Sequence, residues 1–296
     1  MPSETVIAFI GFGEAAQAFV EGWGDTPPAR LTGYDHKIDA PETRAGKRAE
    51  FVARRVACLD STAEAVAGAD IVISVVTADQ ALRAAQAAAP ALRPGATFFD
   101  LNSVSPATKA AAAAAVTRVG GTYVDVAVAA PVRPALLTVP MLVSADGNAE
   151  AAVARLDALG FNARRVDGGV GRASAIKMIR SIMIKGIEAL TAECLLSAYA
   201  AGVEEEVLAS LDGSFPNFDW ALRADYNLDR MLVHGLRRAA EMEESSNTVR
   251  ELGLGGGMAA AAAAWHRRLG DLALPLPDTL EAKARAILAA LGKDAA

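Results

Sequence analysis

Residues 5–23 read TVIAFIGFGEAAQAFVEGW. An apolar run closes at Ile10, two glycines follow with one residue between them, and an alanine-rich helical pattern begins at once. Gly11–Phe12–Gly13–Glu14–Ala15–Ala16 thus spells GxGxxA where a strand hands over to a helix. Gly11 permits a tight turn, Gly13 lets backbone approach a pyrophosphate, and Ala16 keeps the third position small for helix–strand packing. The phosphates would meet backbone N–H groups at the positive end of the helix. A plain strand-to-helix turn uses the same glycines, so a second element has to arbitrate. It lies in Leu31–Thr32–Gly33–Tyr34–Asp35, where Asp35 ends the next strand pattern near the expected ~20-residue spacing. An acid there accepts bonds from the adenine ribose hydroxyls and repels the extra phosphate of NADP; alternatively it is a turn aspartate. The combination predicts NAD as cofactor, and the neighbouring His36 and Lys37 leave NADP open.

Working outward, strand patterns fall at 5–10, 30–34, 55–58, 71–76, 97–101, 122–126, 139–144 and 163–166. Helical patterns separate them at 15–23, 62–67, 78–89, 106–119 and 149–159, the fourth including an alanine run over 110–115. Strands alternating with single helices imply right-handed crossovers and a mostly parallel, doubly wound sheet of Rossmann type. After Gly171 the strand signals stop. A proline-free helical pattern spans 172–201, and others follow at 204–211, 219–238, 239–251, 257–269 and 280–291, with a Pro275/Pro277 linker over 274–278. The expectation is an α/β dinucleotide-binding domain over 1–167 and an all-α domain over 168–296 that begins with a long interdomain helix.

Composition narrows the function classes. A 296-residue chain with 52% hydrophobic and 22% charged residues holds a sizeable globular core. Net charge is −6 with no basic block, which argues against a nucleic-acid partner. Cys58 and Cys194 have no metal-spaced neighbours, so a reducing, cytoplasmic setting is expected and no metal site. No basic region precedes Val6, and no charge-free apolar stretch nears ~20 residues, so neither a signal peptide nor a membrane span is expected.

GADIVISVVTADQAL (68–82), PGATFFDLNSVSP (94–106), GGTYVDVAVAAPV (120–132) and GGVGRASAIKMIRS (168–181) follow the glycine loop in order. This succession resembles the β-hydroxyacid dehydrogenase superfamily, which includes 6-phosphogluconate and 3-hydroxyisobutyrate dehydrogenases. HGLRRAAEMEESSNTVRELGL (234–254) is similar to a less characterised, phosphogluconate-dehydrogenase-like branch. The resemblance implies that Gly11 to Ala15 and Asp35 hold the cofactor, and that Val75, Val76 and Thr77 line it. Asn102 and Ser103 would flank the nicotinamide ribose and ring. It places Lys177 at the catalytic lysine and Ser181 at an asparagine that accompanies it. Asp125 would lead into a substrate loop whose Ser-Gly-Gly is replaced by Ala129, Ala130 and Pro131. Those residues offer no side-chain donor and one fewer N–H, so the family's carboxylate capture by this loop does not carry over from the resemblance. Arg133, Arg180 and the arginines near His234 are the cations left to anchor an anionic substrate. A homodimer through the helical domain is implied too.

Alcohol oxidation needs hydride departure to nicotinamide and removal of the hydroxyl proton. A lysine serves as base when desolvation disfavours its ammonium form, and its protonated form assists the reverse reaction. Lys177 follows a glycine-rich stretch at the expected domain junction, where clefts occur. Ser181, Lys185 and Glu188 recur at helical spacing from it; Lys185 either joins the substrate site as the rival of Lys177 or, as its simpler reading has it, pairs with Glu188. His234, with Arg237, Arg238 and Glu241, either contributes to the substrate site or belongs to a charged solvated helix face. Gly255–Gly257 read as a helix-cap loop, and no serine has a GxSxG setting. The leading expectation is an NAD(P)-dependent dehydrogenase or reductase acting on a small hydroxyacid or related polar alcohol. An imine reductase, against which Lys177 counts, and a non-catalytic dinucleotide-binding sensor are the alternatives.

Overall fold

In the computed structural model, which describes residues 5–293, the opening apolar run is strand β1 (Val6–Ile10), buried at every residue. Ile7 and Phe9 enter one core, while Val6 and Ala8 and Ile10 enter another. Two buried faces are what a parallel strand has when helices cover the sheet above and below. The other strands are β2 (Arg30–Tyr34), β3 (Ala57–Cys58), β4 (Ile71–Ser74), β5 (Thr97–Asp100), β6 (Thr122–Val128), β7 (Met141–Ser144) and β8 (Ala163–Arg165). They form one sheet in the order β3-β2-β1-β4-β5-β6-β7-β8, so all eight expected strands are present. The first six positions have the doubly wound, dinucleotide-binding order, whose direction reverses between β1 and β4. Every pairing is parallel except β6 with β7, where Asp125 stands opposite Ser144. That connection carries only a short 3₁₀ turn, Leu136–Thr138, and an antiparallel neighbour needs no helical crossover.

The covering helices are α1 (Glu14–Trp23), α2 (Pro41–Ala53), α3 (Thr62–Val66), α4 (Ala81–Ala88), α5 (Pro106–Thr117) and α6 (Ala149–Ala158). α2 is not evident from periodicity, because only Lys47 and Phe51 of its thirteen residues are buried. It packs where Gly33 of β2 leaves room: a Cβ there would stand 2.9 Å from the Phe51 ring. The alanine run lies in α5 as a packed helix, capped by the Ser105 hydroxyl accepting from the Thr108 N–H.

α7 (Arg172–Ala201) is one helix of 30 residues, as its pattern predicts. The chain divides into two compact units inside it, between Lys177 and Met178 and therefore later than the expected 167/168 boundary. The cause is local: the first turn of α7 is bonded to the sheet. Asp125 accepts from the N–H groups of Gly171 and Ser174, and Ser144 Oγ accepts from the Ala173 N–H. The second unit continues through α8 (Glu204–Ser214), α9 (Trp220–Glu251), α10 (Gly257–Gly270) and α11 (Leu280–Ala290). α9 is a single helix of 32 residues, correcting the two helices expected over 219–251. Neither glycine nor proline interrupts it at Arg238–Ala239, and both residues are buried. Leu195, Leu196, Leu228, Met231, Met242, Ile287 and Leu288 form this unit's core. Among the described residues no helix is long and apolar enough to cross a membrane.

Candidate functional site

Gly11 turns the chain with φ of +83°, and a Cβ on it would stand 2.5 Å from the Val75 carbonyl oxygen, so only glycine fits. Gly13 is the opposite case. It is exposed, precedes the first turn of α1, and a Cβ there would meet nothing within 4 Å. No side chain caps that turn, so the backbone around Gly13, Glu14 and Ala15 presents the positive helix end to open space. A cradle with this bare backbone and this open volume fits a pyrophosphate.

Phe12 does not face that volume. It is fully buried and stacked on Phe51 of α2 with ring centroids 4.0 Å apart. Its N–H donates to Asp35 Oδ2 at 2.7 Å, and its carbonyl accepts from Lys47 Nζ at 3.1 Å and Gln17 Nε2 at 3.3 Å. Phe12 therefore holds the loop's shape, and Lys47 on α2 braces it, a part the sequence reading missed. Asp35 is buried as well, and its Oδ1 accepts from the Lys37 N–H at 3.0 Å. The aspartate caps the turn His36–Ile38, as the turn reading has it, while standing at the end of β2 where the cofactor reading needs it. The His36 side chain is 68% exposed beside it.

Beyond β4, Val75 and Val76 are half-buried and Thr77 is exposed. Asn102, after β5, is buried with both ends of its amide engaged: Oδ1 accepts from the Val76 N–H at 2.7 Å, and Nδ2 donates to Ser74 Oγ at 3.0 Å. Asn102 thus fastens the two loops together and leaves Ser103, half-buried, as the outward member of the pair. Ser103 Oγ accepts from Lys177 Nζ at 2.5 Å. Two side chains far apart in sequence are brought together here within the first unit.

Asp125, which leads into the Ala129–Pro131 loop, does not itself reach the surface. It is 0% exposed, and its oxygens accept from Gly171, Ser174 and Ser144, so it anchors α7 rather than facing a ligand. Ala129, Ala130 and Pro131 are exposed and bring no side-chain donor. Arg133 meets Glu21 through two nitrogens, at 3.1 and 2.7 Å. That hydrogen bonding holds the Glu21 carboxyl well below the usual carboxylate range. The cation nearest in sequence to the altered loop is thus already paired.

In the second unit Ser181 and Lys185 are both buried, with Lys185 Nζ donating to Ser181 Oγ at 3.4 Å. Lys185 does not pair with Glu188, correcting the helical-spacing expectation; it pairs with Glu241 of α9 at 2.5 Å, and Glu188 pairs with Arg238. A tertiary partner across the interior outcompetes a neighbour on the same helix. Burial pushes the Lys185 ammonium's pKa down, with Glu241 opposing the shift. His234 is half-buried on α9, and Arg237 pairs with Glu241 at 2.8 Å.

A doubly wound sheet with a glycine turn after β1, an uncapped helix N-terminus and an acid after β2 defines a dinucleotide-binding α/β protein. Residues 6–164 match the NAD binding domain of 6-phosphogluconate dehydrogenase, and residues 198–269 match a domain of unknown function (DUF1932). A conserved hypothetical protein from Sinorhizobium meliloti 1021 is 41% identical over 98% of this chain and 97% of that one, with a TM-score of 0.73. Conserved protein MTH1747, of unknown function and similar in structure to 3-hydroxyacid dehydrogenases, is 27% identical over 94% of this chain and 99% of its own, with a TM-score of 0.65. The Mycobacterium tuberculosis 3-hydroxyisobutyrate dehydrogenase solved with L-serine shares the fold at 20% identity, over 95% of this chain and 98% of its own, with a TM-score of 0.68. No curated protein matches. The chain belongs to the β-hydroxyacid dehydrogenase superfamily, as a nicotinamide-dinucleotide-dependent oxidoreductase.

Proposed function

We propose that the protein transfers a hydride between NAD and a small hydroxyacid or related polar alcohol, with Lys177 as general acid/base. The contact between Lys177 Nζ and Ser103 Oγ carries this reading, because it brings the lysine to the loop beside which the nicotinamide would lie. The dinucleotide supplies the hydride acceptor or donor. Gly13 and the first turn of α1 would receive its pyrophosphate, Asp35 its ribose, and Val75, Val76, Thr77 and Ser103 its nicotinamide half. Lys177 then takes the proton from the substrate hydroxyl as hydride leaves, and returns it in the reverse direction. The carboxylate charge of Asp35 supports NAD over NADP. With Ala129–Pro131 donorless and Arg133 held by Glu21, activity on 3-hydroxyisobutyrate should be poor.

Titration with NADH and NADPH, followed by turnover of a panel of short hydroxyacids and polyols with each oxidised cofactor, tests the assignment. Lys177→Met keeps the apolar stem and deletes the ammonium. It should lower turnover ~100-fold to ~10,000-fold, about 3 to 5 kcal/mol of barrier, with little change in NADH affinity. Retained turnover would remove Lys177 from the reaction, and tighter NADPH than NADH binding would overturn the cofactor assignment. Met183, Leu190, Leu222, Val233 and Leu236 are large apolar side chains exposed on α7 and α9. They support pairing of two copies through the helical unit, which light scattering of the purified protein reads directly.

A further inference from the structure

Beneath the Lys177–Ser103 contact lies a set of charges that the proposed reaction does not use. Lys109 of α5 is 0% exposed. Its Nζ donates to the Asp100 carbonyl at 2.7 Å and to Asp100 Oδ1 at 2.8 Å, and stands 3.3 Å from Asp125 Oδ1. Asp100 and Asp125 are register partners on β5 and β6, so one ammonium serves two adjacent buried carboxylates. Each carboxylate reaches a different part of the site. Asp100 Oδ1 accepts from the Asn102 N–H at 2.9 Å, and Asp100 Oδ2 accepts from the Tyr123 hydroxyl at 2.6 Å. Asn102 in turn fastens Val76 and precedes Ser103. Asp125 accepts from the N–H groups of Gly171 and Ser174 at 3.1 and 3.0 Å and from Ser174 Oγ at 2.6 Å, one turn of α7 before Lys177.

We propose that Lys109 is a positioning residue: by bridging Asp100 and Asp125 it fixes the Ser103 loop and the first turn of α7 relative to each other, and so holds Lys177 against Ser103. The inference rests on the reading of Lys177 given above. Without the ammonium, two carboxylates would face each other in the interior, and a buried charge whose partner is removed forces the surroundings to move or a proton to bind. Asp125 keeps compensation from the helix N-terminus, whereas Asp100 depends on Lys109 and on neutral donors. The Asn102–Ser103 end is therefore the one that shifts. A displacement of about 1 Å at a reacting group is enough for a ~100-fold loss of rate.

The experiment compares Lys109→Met, Lys109→Arg, and the double variant Asp100→Asn with Lys109→Met, which removes the charge imbalance, using NAD and the panel compound that the unmodified protein turns over fastest. Expected is a kcat ~100-fold lower in Lys109→Met, a KM for NAD within about threefold, and partial recovery of kcat both in Lys109→Arg, which restores the bridge, and in the double variant, which removes the unpaired carboxylate. Folded Lys109→Met with unchanged kcat would overturn the inference while leaving Lys177 in place. Lys177→Met with full turnover would instead overturn the reading it rests on. Hydrogen exchange in the unmodified protein needs no variant to fold. The Asn102 and Ser174 amides, bonded to the two bridged carboxylates, should open together with one denaturant dependence. Separate openings would show that Lys109 does not link them.

Discussion

At Gly11 the backbone runs through positive φ with a carbonyl oxygen 2.5 Å from where a side chain would start; at Gly13 there is only open space. Replacement should therefore fail in two different ways. Gly11→Ala should destabilise the fold by about 1–3 kcal/mol, from the strained conformation and the displaced Val75 carbonyl. Urea unfolding measures it. Gly13→Val should unfold like the unmodified protein yet lose NADH binding, because its branches would fill the phosphate volume; fluorescence titration decides. Normal NADH binding by Gly13→Val would reduce the loop to a turn. Both glycines were legible because their reasons are local, set by a strand, a turn and a helix start within a few residues. Phe12 and Asp35 were legible only in part. That an amide of the loop donates to a carboxylate from the next strand depends on β1 and β2 lying side by side. Lys109 left a signal that went unread: it shares the helical stripe of Ala112, Ala113 and Val116, a charge on an otherwise apolar face.

Among the elements, α9 and α10 cross at close range. A Cβ on Gly235 would lie 2.4 Å from the His266 carbonyl oxygen and 2.7 Å from Gly270 Cα, both backbone atoms that cannot swing away. Gly235→Ala should lower stability by about 1–3 kcal/mol through overpacking. Gly186 in α7 has nothing within 4 Å of its would-be Cβ. Gly186→Ala should raise stability by up to ~1 kcal/mol, the helical penalty of glycine. Thermal melts of the two variants should shift in opposite directions; a shift of the same sign would contradict the crossing geometry. Periodicity located α7 because a long proline-free pattern needs no partner to be recognised. It passed over α2, whose charged residues leave two buried positions and no apolar stripe. It also divided α9 where the sequence holds no breaker.

At the scale of the whole molecule, His266 ties stability to pH. It is 0% exposed, and its Nε2 lies 3.2 Å from the Lys185 carbonyl, which can only accept, so the ring proton sits on Nε2. Nδ1 has no hydrogen-bond partner among the described residues. Burial, and then the nearby Arg238 charge, lower its pKa from 6.5 to about 4, with Glu188 and Glu241 the facing carboxylates. The unfolded chain takes up a proton near pH 6.5 that the folded chain refuses until about pH 4. Stability is therefore complete above 6.5 and falls between those values, by about 3 kcal/mol from this group. Urea midpoints at pH 7 and pH 4.5 should differ less in His266→Gln, which keeps a donor for the Lys185 carbonyl; an equal difference would exclude His266 as the cause. The sequence by itself determined the eight strands, the change from alternating elements to helices alone and the glycine turn, because hydrophobic period and turn chemistry act over a few residues. Only the tertiary structure decided which groups meet: Lys109 with the buried carboxylates of Asp100 and Asp125, Lys185 with Glu241, and the half-buried Lys177 with the Ser103 hydroxyl. Lys185 meets Glu241 and Lys177 meets Ser103 only through the fold, and in the poorly solvated surroundings of Lys185 the partner that folding brings nearest prevails over the neighbour that spacing suggests.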